Sequence, residues 1–592
     1  MADRFIYRSP LVCLLFLVQP LATSQEKQTM EDARLEAFFK TYLDEEFRRQ
    51  PLQATLQGDH RFDHLLDDVS AKARSRWTEE THKTLKDLER TISYVKLSRA
   101  GQIDFEILKH HLLTSIWLAE NTRPFEEDPR VYNHYITDSV YLLLTQSTQP
   151  KPANIRNCAE RMRQIPRIVA AAKESLKKAS KVHTETAIKQ TRGAIAFYEK
   201  EIFDLAGETP QLSTLRDVAK STAEHLREYL KFLQEDVLPQ ATADWRLGKK
   251  KFAEKLKFEL NSGIDSDDVL KEAEAEAVRV EHEMHVIARQ LWSQVFPGQV
   301  MPQDDEAGKR LVITKVLAKI STEHGKPEDI VKDATATVAR IKEFIKDRDI
   351  LRLPEPDQCK IIEMPEFQRG NSIAYLNPAP PLDAKASSFY AISPPPREWD
   401  AKRVASYMQE YNRHMLQILT IHEAYPGHYV QLEYANRNRS LIRKVLYSGV
   451  FAEGWAVYTE QVMLDEGYGQ GDLKLRLNQL KWYLRSVCNA ILDFKMHCTG
   501  MTDQEALLFL MLTAYQSEAE AILKIIRAKQ SSCQLSTYFV GRMAFQRLRR
   551  RVQADLGERF ELGRFHEACL DFGTLPVRYL PELVAERLQR AR

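Results

Sequence analysis

Apolar residues recur at steps of three and four over residues 30–50, 68–117, 153–205, 211–238, 266–295, 307–321, 326–348, 401–424, 441–466, 472–497, 503–529, 536–556 and 578–590. That is the period of an amphipathic helix, and it leaves the chain little else to fold into. Glycine, which weakens helix interiors, supplies only 21 of 592 residues. The expected fold class is mainly α. One segment departs from the pattern: residues 351–398 hold nine of the 25 prolines. Within it, Asn371–Leu376 and Phe389–Ile392 have the Tyr, Phe and Ile content of short strands, so a small β element is expected near residues 370–393. Either an edge strand there holds an extended peptide by backbone pairing, with Tyr375 as a substrate contact, or the segment is a connector between helical halves. The expected organisation is a helical region at 25–350, the proline-rich segment at 351–400 and a second helical region at 401–592. Residues 25–592 are read as one cooperative unit, although the chain is longer than one core usually spans.

Charge narrows the partners. The 85 basic and 83 acidic residues leave a net charge of +2, which argues against a nucleic-acid or polybasic membrane-binding role. The one dense basic run, Arg547, Arg549, Arg550 and Arg551, is interleaved with Leu548 and Val552 and reads as the wet face of a helix. Residues 1–24 have the layout of a secretory signal peptide: Arg4 and Arg8, an apolar stretch from Leu11 to Val18 too short to span a bilayer, and small residues at Ala22-Thr23-Ser24. Cys13 lacks the small residue expected just before a lipid-modified cysteine, so cleavage and export to a secreted or periplasmic location are expected, with an uncleaved anchor as the alternative. No later segment is apolar enough for stable membrane insertion. Of the six remaining cysteines, Cys488 and Cys498 fall on one helix about 15 Å apart, beyond disulfide reach, and no C-x-x-C pair suggests a cysteine metal site.

The chemistry concentrates in Ile421-His422-Glu423-Ala424-Tyr425-Pro426-Gly427-His428 and Phe451-Ala452-Glu453-Gly454-Trp455-Ala456. Two histidines and a carboxylate can hold a zinc ion with one position open for water, while a free carboxylate takes the proton. In the H-E-x-x-H pattern the histidines lie four apart on one helix face. Here they lie six apart, roughly 600° of rotation, which leaves them about 120° apart on a straight helix. Pro426 and Gly427 offer a remedy. If they bulge out of the helix, His428 regains the place of a residue four along. The other explanation is a Pro-Gly turn with two packed histidines. Tyr447, Val450, Phe451, Gly454, Val457, Tyr458 and Val462 define an apolar face that includes Glu453. A carboxylate there either ligates a metal or forms a buried salt bridge. Glu460, seven residues on, shares that face and is placed to orient a ligand.

These residues give the chain a resemblance to the family catalogued as domain of unknown function 885. It rests on HEAYPGH at 422–428, EGWAVYTE at 453–460, DWRLGKKKF at 244–252, Arg485, ILDFKMH ending at His497, GMTDQEA at 500–506, QLSTYFVG at 534–541 and FHEACLDFGTLP at 565–576. Members of that family look like zinc metallopeptidases of the gluzincin type. The resemblance implies one Zn²⁺ held by His422, His428 and Glu453, with Glu423 as the catalytic base. It also implies a helical fold with a central groove for an oligopeptide substrate. Tyr429 departs from the family, where many relatives carry a further histidine.

A peptidase must also stabilise an oxyanion. His497 and Tyr538, within matched motifs, are the candidates, and Arg485 is the candidate for a bidentate contact to a substrate carboxylate. Each has a purely structural alternative. His566 offers no chemical reason to be preferred, and His282 and His285 read as surface residues on a charged helix. Two other functions stay open: a zinc-dependent esterase or amidase acting on a non-peptide substrate, and a non-catalytic binding protein on a peptidase scaffold. Against the second stands Glu423, a free carboxylate that a scaffold does not need.

Overall fold

Ser266–Val295 shows how the pattern becomes structure. Val269, Ala273, Ala277, Val280, Met284, Ile287, Ala288 and Leu291 fall at steps of three and four and are all buried. Asp265, Asp267 and Asp268 put negative charge at the N-terminal end, where the helix dipole favours it. At 1.5 Å per residue the 30-residue rod is about 45 Å long, and it packs along the second long helix, Leu473–Cys498. His285, read from the sequence as a surface residue, lies on the packed side of this rod and is only 6% exposed.

The computed structural model describes residues 28–364, 374–397 and 399–590; the expected signal segment lies outside them. The molecule is mainly helical with one small sheet. Two apolar interiors form. One is built from residues between Leu66 and Val237, chiefly on the helices Lys151–Ser175, Lys181–Ala196 and Leu212–Phe232. The larger draws on Leu35 to Leu112 and on Phe252 to Val584. Helices from before and after the proline-rich segment therefore share one core. No helix of the described residues is long and apolar enough to cross a membrane.

Several boundaries differ from the sequence expectation for local reasons. The stretch 68–117 is two helices, Ala71–Thr91 and Arg99–Asn121, because Ser98 caps a new start through its side chain. The stretch 401–424 breaks at Asn412, whose side chain accepts from the backbone N–H groups of His414 and Met415. The sheet has three strands, β1 (Cys359–Glu363), β2 (Ala374–Asn377) and β3 (Ser388–Ile392), in the order β1-β3-β2. β1 runs parallel to β3 and β2 antiparallel to it. β2 and β3 correspond to the two expected strands, with residues 371–373 outside the described set; β1 was not foreseen. All six cysteines in the described residues are free thiols.

Candidate metal centre

The helix Arg413–Glu423 stops immediately after its histidine-glutamate pair, and a second helix, His428–Asn436, starts on the other histidine. The interruption is thus more than a bulge. Ala424 leaves helical geometry, Gly427 N–H donates to the Ile421 carbonyl at 3.0 Å, and the indole of the buried Trp455 donates to the Pro426 carbonyl at 2.8 Å. Gly427 tolerates no side chain, since a Cβ would lie 1.9 Å from the His422 carbonyl oxygen. The Pro-Gly step folds the chain back so that the two imidazoles meet at 86° with centroids 4.8 Å apart.

Glu453 arrives on Gly449–Asp465, a helix buried on nearly every side. Its Oε2 lies 3.7 Å from His422 Nε2 and 3.4 Å from His428 Nε2, and one ligand atom from each of the three falls within 4.8 Å of the others. Two donors each about 2.0–2.1 Å from a common tetrahedral ion lie about 3.3 Å apart, so the spacing suits zinc. Glu453 Oε2 is buried and has no hydrogen-bond partner, a costly state unless a cation answers it. The donor set, two imidazoles and a carboxylate, is one zinc accepts. Behind it, Glu460 Oε1 accepts from His422 Nδ1 at 2.7 Å, which leaves Nε2 as the ligating nitrogen. Burial opposes a charge on His422, but Glu453 and Glu460 outweigh it and raise its pKa well above the ordinary value.

Glu423 stays outside the donor set. Its Oε2 accepts from the Leu376 backbone N–H on β2 at 3.0 Å, and β2 is an outer strand of the three described. Tyr375, next along β2, is partly buried, and burial raises its hydroxyl pKa against the opposing effect of a hydrogen bond with Tyr141. Tyr429, the departure from the family pattern, is buried and engaged elsewhere, accepting from Gln358 N–H and donating to Asp357.

Tyr538 reaches the centre through a helix crossing. Gly454 and Gly541 meet where Gly449–Asp465 crosses Thr537–Leu556; a Cβ on Gly454 would sit 2.3 Å from the Gly541 carbonyl carbon. That close approach brings Tyr538, one turn before Gly541, toward Glu453, one residue before Gly454. Burial and then the Glu453 charge push the Tyr538 hydroxyl up to about 12, so it stays protonated at neutral pH. Arg527 and Gln534 both donate to its oxygen, at 3.1 and 3.4 Å, which leaves the O–H proton for another acceptor.

Three readings need correction. His497 is buried and fully committed to backbone: Nε2 faces the Ala528 and Ser531 carbonyls at 3.0 and 2.8 Å, and Nδ1 accepts from Leu247 N–H at 3.5 Å. Its ring stacks on Phe252, and burial lowers its pKa. It is a packing residue and has no hydrogen left for an oxyanion. Arg485 is not a free fork; its Nη1 donates to Glu520 at 3.0 Å and its guanidinium lies over Trp482. Tyr447, assigned to the apolar face, is 63% exposed, because the helix begins only at Gly449 behind the Ser448 cap. Its hydroxyl pKa is raised by desolvation and by the Glu453 charge. An exposed ring that feels the Glu453 charge makes Tyr447 a candidate substrate contact that the periodicity concealed.

The family described as "Bacterial protein of unknown function (DUF885)" matches residues 51–584. The chain belongs to the DUF885 family. Among solved structures, a candidate lipoprotein of unknown function from Shewanella oneidensis is 28% identical, with a TM-score of 0.79 over 93% of this chain and 99% of that one. A candidate lipoprotein from Colwellia psychrerythraea shares the fold at 17% identity, with a TM-score of 0.77 over 94% of this chain and 99% of that one. No curated protein matches the chain. His566, in another DUF885-like stretch, is buried between the Tyr458 hydroxyl at 2.9 Å and the Ile350 carbonyl at 2.8 Å, a structural position.

Proposed function

We propose that this DUF885 protein is an exported zinc-dependent peptidase that hydrolyses oligopeptides. The observation that carries the reading is the convergence of His422, His428 and the unpartnered Glu453 oxygen beside a carboxylate, Glu423, that is not one of the three donors. His422, His428 and Glu453 would hold one Zn²⁺ per chain. Bound there, zinc supplies Lewis acidity toward the scissile carbonyl and acidifies water. Glu423, oriented by the Leu376 N–H, accepts a proton on its carboxylate and returns it to the leaving amine. The Tyr538 O–H donates to the carbonyl oxygen as negative charge develops on it.

Tyr538 and Glu453 are only partly buried and keep accessible surface, so the centre can be reached from solvent. This favours a peptide in a central groove. Export fits the basic start and apolar stretch of residues 1–24 and the description of both structural relatives as candidate lipoproteins. The test is digestion of a peptide library read by mass spectrometry. Cleavage that disappears with chelator, returns with zinc and is absent in Glu423→Gln is the expected result. Cleavage that persists in Glu423→Gln refutes the mechanism.

A further inference from the structure

Two side chains hold the Tyr538 oxygen, and one of them decides how the other faces it. The turn that carries Tyr538 is fixed by Asp493, a buried carboxylate on Leu473–Cys498. Its Oδ1 accepts from the Cys533 N–H at 3.1 Å and its Oδ2 from the Ser536 hydroxyl at 3.0 Å. Gln534 opens the short 3₁₀ turn Gln534–Ser536, which leads directly into Thr537–Leu556. Arg527 comes to this turn from the end of the helix Glu518–Gln530. Its Nη2 donates to Gln534 Oε1 at 2.9 Å and to the Tyr538 hydroxyl oxygen at 3.1 Å. Arg527 is exposed and forms no ion pair among the described residues.

A guanidinium can only donate. The Gln534 amide must therefore turn its oxygen to Arg527, which leaves its NH₂ toward Tyr538, 3.4 Å from the hydroxyl oxygen. Turned the other way, the amide would set N–H against N–H at Arg527 and offer its oxygen to the Tyr538 proton. As it stands, the Tyr538 hydroxyl only accepts and donates to no described residue. Its proton is unused, on a phenol that feels the Glu453 charge.

We propose that Arg527 is a positioning residue: by fixing the Gln534 amide it removes the one local acceptor and keeps the Tyr538 O–H for an oxygen bound at the metal centre. Without Arg527 the amide is free to turn, its oxygen takes the proton, and the donor is lost although Tyr538 is intact. That the bound oxygen belongs to a scissile carbonyl rests on the function proposed above; the hold of Arg527 on Gln534 and Tyr538 does not.

The test compares zinc-loaded full chains at equal zinc content: wild type, Arg527→Met, Arg527→Lys, Arg527→Met with Gln534→Met, Tyr538→Phe, and Arg527→Met with Tyr538→Phe. Two quantities are read, kcat on a peptide from the library digestion and, by calorimetry, affinity for acetohydroxamate, a small zinc-binding oxyanion. Arg527→Met should lower kcat by about 100-fold with little change in KM, as loss of one oxyanion donor does. Arg527→Lys still donates to Oε1 and should keep most of the rate. Adding Gln534→Met to Arg527→Met removes the trapping oxygen and should bring kcat back to within about tenfold of wild type, while in Tyr538→Phe the Arg527→Met change should matter by less than about twofold. Acetohydroxamate affinity should follow the same order, with a loss of about tenfold in Arg527→Met. Rates and affinities in Arg527→Met within about twofold of wild type overturn the proposal. So does a loss that Gln534→Met fails to relieve, or one that persists in full in Tyr538→Phe, since either marks Arg527 as structural. If no peptide is cleaved but the acetohydroxamate pattern appears, the positioning role stands and the peptidase reading falls. If the wild type binds no acetohydroxamate, the positioning role falls with the metal centre.

Discussion

Glu460 is the most exacting probe of the centre because it is not one of the three donors, yet its side chain holds His422. Its side chain is fully buried and accepts from His422 Nδ1 at 2.7 Å. Glu460→Ala leaves a buried N–H without an acceptor, a cost of about 1–3 kcal/mol, and frees the ring to rotate. Partners behind a ligand are worth about 10- to 100-fold in metal affinity, or about 1.4–2.7 kcal/mol. The alanine variant should therefore weaken zinc binding by about 100-fold. Glu460→Gln, which keeps a carbonyl oxygen for Nδ1 but loses the charge, should weaken it by about tenfold. Stability of the zinc-free protein should move the other way in Glu460→Gln. The second carboxylate oxygen is buried without a partner, and burial already raises the pKa of this acid, so removing the charge should hold or raise the zinc-free Tm. Competition against a chromophoric chelator gives the affinity and thermal melts give the Tm. Zinc affinities within twofold of wild type for both variants would refute the claim that Glu460 positions a ligand.

Three further outcomes follow from the geometry. Glu423→Gln should keep full zinc, since Glu423 is no ligand, while hydrolysis falls by several orders of magnitude; metal analysis and peptide assays on one preparation check both. Tyr538→Phe should lower kcat by about 10²–10³ with little change in KM, the signature of a donor used in the transition state, and steady-state kinetics with an unchanged zinc content would establish it. His497→Gln should leave zinc and kcat near wild type but cost about 1–3 kcal/mol of stability, because it disturbs buried hydrogen bonds; a denaturant melt reads this, and a selective fall in kcat would restore a catalytic role.

Much of this was legible in the sequence because the informative residues are local. The helical period placed most helices. The register of Glu453 and Glu460 on an apolar helix marked both as residues that need a partner, and Pro426-Gly427 explained how His428 could meet His422. What escaped depends on contacts between distant segments. Trp482 lies beside Glu460, and His497 is fifteen residues further along the same helix, about 22 Å away; motif membership carries no such distance. The Arg485 pairing with Glu520 likewise arises from two helices docking. Gly454 and Gly541 were the available signal for the helix crossing, since glycine inside a helix usually has a packing reason. Tyr447 was misread because the period was carried back past the Ser448 cap.

The proposed function stands or falls on one zinc ion held by His422, His428 and Glu453. Crystals of the protein, grown with zinc and measured on both sides of the zinc absorption edge, test it directly. The expected result is a single anomalous peak about 2.0–2.2 Å from His422 Nε2, His428 Nε2 and a Glu453 oxygen, retained in Glu423→Gln and lost in His428→Ala. A peak elsewhere, or one that survives in His428→Ala, would contradict the account.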